Sequence, residues 1–140
     1  MAVNNRVGFL LSQAHHLARS RMDEALRGQD VNAPQYAALS LAAAEPGQSS
    51  AGLARRFLVT AQTMAGIIGQ LERKGLVRRT AHGTNKQILT VAVTQAGLER
   101  LRTCERITDE VEARMRAGFG PADEDALRRI LLLCVRALRP

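Results

Sequence analysis

The sequence predicts a mainly α fold with one small β-hairpin (α+β), and three observations predict it. Apolar residues recur at helical spacing in six stretches of the 140-residue chain. Only the region from Leu76 to Val93 changes to short, β-branched runs around a polar loop. Helix-starting Ser, Thr and Asn and helix-ending glycines fall at the edges of the helical stretches.

In chain order, the first helix runs from about Val7 to Arg27, with Val7, Leu10, Leu11, Ala14, Leu17, Met22 and Leu26 on its apolar stripe and Gly28 ending it. Asn32-Ala33-Pro34-Gln35 opens the second with an Asn cap, an early proline and a capping-box Gln. That helix carries Tyr36, Ala37, Leu39, Ala42 and Ala43, and stops at Glu45-Pro46-Gly47. Ser49 or Ser50 caps a short third helix bearing Leu53, Ala54 and Phe57; Leu58-Val59 then turns the chain into Thr60, the cap of a fourth. On the fourth helix Met64, Ile67, Ile68 and Leu71 form a buried face, which leaves Gln62, Thr63, Gly66, Gly69, Gln70 and Arg73 free. Gly75, after Arg73-Lys74, ends it with a left-handed turn.

Leu76-Val77-Arg78-Arg79 and Ile88 to Val93 pair as a hairpin around residues 81–87, and this is a wing. Two short helices, a tight turn and a wing make the stretch from Ser49 to Gly97 a winged helix-turn-helix. Thr94 caps a long fifth helix, to Gly118, on which Leu101, Cys104, Thr108, Val111 and Met115 sit near heptad a and d positions. Pro121 opens a sixth, to Leu138, that is apolar around most of its circumference through Ile130 to Val135. The first, fifth and sixth helices hold more apolar surface than one small core absorbs, so they form a helical dimerisation region.

A length of 140 residues with 46% hydrophobic side chains allows one domain. Within it, residues 32–97 are the winged part and 5–28 and 98–140 the dimerisation helices. No apolar run spans a bilayer and no export signal opens the chain, so a cytoplasmic protein without membrane contact is expected. Cys104 and Cys134 lie on apolar helical faces as packing thiols. Neither they nor His15, His16 and His82 have metal-ligand or catalytic spacing, and no cofactor motif is present, which excludes an enzyme.

The net charge of +7 is concentrated. Residues 1–48 sum to zero and residues 98–140 to +1, whereas residues 49–97 hold Arg55, Arg56, Arg73, Lys74, Arg78, Arg79 and Lys86 against Glu72 alone, giving +6. A segment of that balance in a helix-turn-helix is suited to DNA phosphates, whose neutralisation releases counterions.

The whole chain resembles the MarR family of bacterial transcriptional regulators. Leu71-Glu72-Arg73-Lys74-Gly75-Leu76-Val77-Arg78-Arg79 is similar to the family's recognition-helix end running into the first wing strand. Val93-Thr94-Gln95-Ala96-Gly97 resembles the Leu-Thr-x-x-Gly that closes the wing, and Leu53-Ala54 matches the helix before the turn. The resemblance implies a homodimeric repressor on double-stranded DNA with a pseudo-palindromic operator. Its DNA-binding residues are then Ser49, Ser50, Thr60, Ala61, Gln62, Thr63, Gly66, Gln70, Arg73, Arg78, Arg79, Asn85, Lys86 and Gln87. It further implies release by a small aromatic or phenolic ligand, with His16 and Tyr36 as contacts.

Two positions depart from the family. Its wing-tip Asp-x-Arg falls on Asn85-Lys86-Gln87, and Gly66 stands where a longer polar or basic side chain is common. Base readout therefore rests on Gln62, Thr63 and Gln70, supported by DNA shape and phosphate contacts. The alternative function is a dimer of this type that has lost DNA reading and binds another protein.

Overall fold

The structure, a computed structural model, describes residues 1–81 and 88–140. It contains α1 (Val7–Leu26), α2 (Ala33–Ala44), α3 (Ser50–Phe57), α4 (Ala61–Arg73), β1 (Val77–Ala81), β2 (Leu89–Val93), α5 (Gln95–Met115) and α6 (Asp123–Leu138). This is the expected order of a mainly helical fold with one small hairpin.

Local capping chemistry sets most boundaries. The Asn32 side chain accepts from Gln35 N while the Gln35 side chain accepts from Asn32 N, the full capping box. Asp23 of α1 adds a second tie by accepting from Ala33 N at 2.6 Å. Several expected ends move. Gly28 does not end α1; the chain passes through a 3-10 turn, Arg27–Gln29, and Asp30 takes the left-handed conformation (φ 57°). Leu76 and Ile88 lie outside the strands. Leu76 belongs to the cap that closes α4. α5 stops at Met115, before Gly118, and α6 starts at Asp123, because the Asp123 carboxylate turns back to accept from Gly120 N at 2.6 Å.

β1 and β2 are antiparallel with Val77 opposite Val93 and Ala81 opposite Leu89. A third short segment extends the sheet: Ser49 bridges Thr90, and Val91 N donates to Gln48 O at 2.8 Å. The wing is thereby tied to the start of α3.

α2 is central, packing against α1, α3, α4, α5 and β2. Around it lies one core, with Leu26, Leu39, Leu53, Met64, Ile68, Leu71, Leu76, Val77 and Cys104 fully buried. α6 contributes nothing to this core and buries no residue in its own chain; Cys134 is only half-buried, not the packed thiol expected. On α1 only Leu26 is buried, and Val7, Leu10 and Leu17 are more than half or half exposed. Among the described residues no helix is long and apolar enough to cross a membrane.

Candidate nucleic-acid interface and adjacent groove

The helix-turn-helix is built by three joints. Ser49, and not Ser50, caps α3, its Oγ accepting from Gly52 N at 3.0 Å. Leu58 closes α3 in the left-handed region (φ 59°), a conformation that normally favours glycine. Thr60 then caps α4 by accepting from Thr63 N at 3.1 Å, and the Thr60 hydroxyl donates to Thr63 Oγ1 at 2.9 Å.

α4 carries three stripes. Met64, Ile68 and Leu71 point into the core. Ala61, Gln62, Ala65 and Gly66 are exposed on the outward side, where a Cβ added at Gly66 would meet nothing within 4 Å. Thr63, Ile67 and Gln70 form the third stripe, which lines a groove. Gln62 is thus the longest side chain of the four outward residues; at the other end of α4 the Arg73 guanidinium folds back over Gly69.

The end of α4 is fixed by a paired cap. Leu76 N donates to Leu71 O at 3.0 Å and Gly75 N to Glu72 O at 2.9 Å, with Gly75 at φ 73° and both leucines buried. This is a Schellman motif with its hydrophobic contact. It delivers the chain into β1, where Arg78 and Arg79 are exposed on alternating sides.

The cations divide by partner. Arg56 pairs with Glu45 at 3.0 Å, Lys74 with Asp30 at 3.6 Å and, weakly, Arg79 with Glu72 at 4.0 Å. Among the described residues, Arg55, Arg73 and Arg78 have no acid within ion-pair distance and are available to phosphate. Arg55 was absent from the expected interface residues, although its position on the outward side of a short capped helix could have flagged it. Lys74, counted in the basic excess, is spent inside the protein. Asn85, Lys86 and Gln87 lie outside the described residues.

The groove behind α4, of about 680 Å³, runs between α1, the start of α2 and the α3–α4 turn. Its walls include Tyr36, Met22, Phe57, Val59 and Ile67, with His15, Arg19, Gln35 and Gln70 as polar groups. Of the two residues expected to contact a ligand, Tyr36 lines this groove. His16 does not line it: neighbouring helical residues diverge by about 100°, and His15 is the histidine on the groove wall. Burial pushes the Tyr36 phenol above its ordinary value, against its 3.2 Å hydrogen bond with Thr108, which lowers it; Glu105, Cys104 and Asp109 add to the rise. Burial likewise raises the Cys104 thiol, against the lowering influence of Arg100. Among the described residues no cluster of His, Cys, Asp or Glu could hold a metal ion.

The most consequential residue that the sequence reading did not place in the site is Gln35. It is 5% exposed, donates from Nε2 to Gln70 Oε1 at 2.6 Å and accepts at Oε1 from Lys74 Nζ at 3.2 Å. The carbonyl of Gln70 is therefore engaged behind the helix and not on its outward side.

Fold and site together define a DNA-binding winged helix-turn-helix protein. The sequence model of the MarR family matches residues 29–88. Transcriptional regulator HosA of Escherichia coli O111:H- is 30% identical over 112 residues, 80% of this chain and 82% of that protein. The HTH-type transcriptional repressor Rv2887 of Mycobacterium tuberculosis is 28% identical over 125 residues, 89% of this chain and 90% of its own. The crystal structure of Rv2887 with salicylic acid superposes with a TM-score of 0.75 at 27% identity, covering 96% of this chain and 99% of that one. The S. aureus MepR–DNA complex shares the fold at a TM-score of 0.86 and 19% identity, over 95% and 98% of the two chains. The chain belongs to the MarR family, and is a transcriptional regulator and not an enzyme.

Proposed function

We propose that the chain is a homodimeric repressor that sets its two α4 helices into successive major grooves of a pseudo-palindromic operator and releases it when a small aromatic or phenolic ligand occupies the groove behind α4. In this reading residues 32–97 engage DNA, residues 5–28 and 98–140 form the dimer, and the protein works in the cytoplasm. The observation that carries it is the outward side of α4, bordered by Arg73 and Arg78 with no acid partner among the described residues. Half-site spacing in DNA requires two such faces held at a fixed separation. α6 supplies the means: Ile130, Leu132 and Leu133 are about half exposed in the single chain and await a second copy. The repressor assignment of Rv2887 and its complex with salicylic acid support the direction of control and the class of ligand.

A mobility shift with DNA flanking its own gene and with random duplexes, run with and without salicylate, tests the reading. Preferential binding of the flanking DNA, weakened by salicylate, by a species that sediments as a dimer is expected. Equal affinity for all duplexes, or a monomer at working concentration, would overturn it.

A further inference from the structure

We propose that the hydrogen bond between Gln35 and Gln70 is the element through which an occupant of the groove reaches the recognition helix, and that Gln70 is a positioning residue and not a reader of bases; this rests on the ligand-responsive reading above. Gln35 Nε2 donates to Gln70 Oε1 at 2.6 Å, while Gln35 Oε1 accepts from Asn32 N at 3.1 Å and from Lys74 Nζ at 3.2 Å. One buried amide thus joins the first turn of α2 to the last turn of α4. Lys74 Nζ also donates to the Asp30 carbonyl, which closes the joint from the other side. Both partners of the 2.6 Å bond line the groove, so whatever enters competes for it.

The competition has a chemical direction. The Gln70 carbonyl is a neutral acceptor, and a carboxylate makes a stronger bond to the same N–H. An apolar occupant that merely displaced Gln70 would leave a buried donor unsatisfied, which is disfavoured. A carboxylate replaces the acceptor it removes, and His15 and Arg19 across the groove offer donors to the rest of the anion. Such a ligand interacts differently with the bridged and unbridged states, the condition for any ligand-driven shift. Once Gln70 is released, α4 has lost a side-chain tie at the turn that leads into the wing. The same geometry removes Gln70 from base reading, because adenine requires both the carbonyl and the amide of a glutamine and the carbonyl is held behind the helix.

Two variants and one probe decide it. Salicylate affinity is measured by calorimetry, and operator affinity with and without saturating salicylate, for wild type, Gln70→Met and Gln35→Glu. Gln70→Met, at an exposed helical position, should bind operator on the order of fivefold more weakly without salicylate, the factor set by one net hydrogen bond. Its ratio of operator affinities without and with salicylate should fall to one, while salicylate binds at least as tightly as in wild type, there being no bond to break. In Gln35→Glu the Gln70 amide can turn over and donate its Nε2 to the carboxylate. Operator binding should persist there, and salicylate binding should weaken through like-charge repulsion. A Gln70→Met variant that loses discrimination at a single base pair and keeps the wild-type salicylate ratio would overturn the proposal, since that is the behaviour of a reader. Wild type that binds operator yet ignores salicylate would remove the ligand reading and the proposal with it; a responsive wild type with an equally responsive Gln70→Met removes the proposal alone.

Discussion

Gly97 sits at the N-terminal turn of α5 against the joint between recognition helix and wing, and Gly97→Ala tests that joint directly. Thr94 caps α5 by accepting from Gly97 N at 3.0 Å, and its hydroxyl donates to Gly75 O at 2.6 Å; Thr94 N donates to Leu76 O at 3.0 Å. A Cβ added at Gly97 would penetrate the van der Waals surface of Leu76 O and lie 2.8 Å from Val93 Cγ1 and 3.0 Å from Leu76 C. Ordinary carbon contacts need about 3.5–4.0 Å, and the obstructing atoms are mostly backbone, so the start of α5 must retreat by roughly an ångström. Overpacking of this kind costs about 1–3 kcal/mol, and weakening one of the Thr94 bonds adds about 1 kcal/mol. Replacing a helical glycine by alanine returns about 1 kcal/mol. The net loss is about 2 kcal/mol, a downward shift of about 1 M in the urea midpoint for a small domain. Gly66→Ala is the control, because its Cβ enters open space and should stabilise by up to about 1 kcal/mol. Urea unfolding followed by circular dichroism at one fixed protein concentration compares the two, the concentration being fixed because association shifts the midpoint. A Gly97→Ala midpoint at or above wild type would refute the steric reasoning.

Ending the chain before Pro121 removes no core residue, so the remainder should keep its helical circular dichroism but sediment as a monomer; a persistent dimer would show that α6 is not the main contact. Arg78→Gln should weaken operator and random DNA alike and reduce the salt slope by about one, whereas Lys74→Gln, whose charge is held by Asp30, should leave the slope unchanged and lower stability. Gln62→Ala should cost about 1–3 kcal/mol at one operator position and little on random DNA, and a uniform loss would exclude base reading. Burial raises the Cys104 thiol above its ordinary 9.0, so the unfolded chain releases that proton first, and the associated stability is present below pH 9.0 and lost as pH rises toward the folded value. Cys104→Ala should remove the first part of the alkaline decline in a stability–pH profile, and an unchanged profile would place its origin elsewhere.

The parts of the fold that were legible in the sequence are those whose chemistry closes within a few residues. Asn32 with Gln35, Thr60 with Thr63, Thr94 with Gly97, and Gly75 after a basic helix end are such cases, and each is found where the residue types placed it. Leu58 shows the limit: a left-handed residue with an exposed side chain carries no compositional mark, and the turn is closed by backbone, Val59 N donating to Ala54 O at 3.1 Å. The Gln48–Ser49 bridge to β2 was equally hidden, because a strand of so few residues has no period to read. For the site, periodicity separates a buried from a free face of α4, but it cannot divide the free face between DNA and groove. That division depends on Gln35, 35 residues away, and on Asp30 beside Lys74.

The composition of α4 makes this division matter. Its outward side offers Ala61, Ala65 and Gly66, so few side chains reach toward base edges and small errors in helix placement are not absorbed by long, adaptable contacts. Accuracy has to come from the joints behind the helix: the Schellman cap at Gly75, the Thr94 hydroxyl on Gly75 O, and the Gln35–Gln70–Lys74 bridge. All three meet the last turn of α4, where recognition helix passes into wing. If α4 reads DNA with few side chains, as proposed, its fit is sensitive to whatever loosens its last turn, even with Thr60 capping its other end and Met64, Ile68 and Leu71 anchored in the core. On the proposed reading, the arrangement forgoes contacts with bases and gains a place at which a change of about 1 kcal/mol, the worth of one hydrogen bond, alters the fit of the helix to DNA.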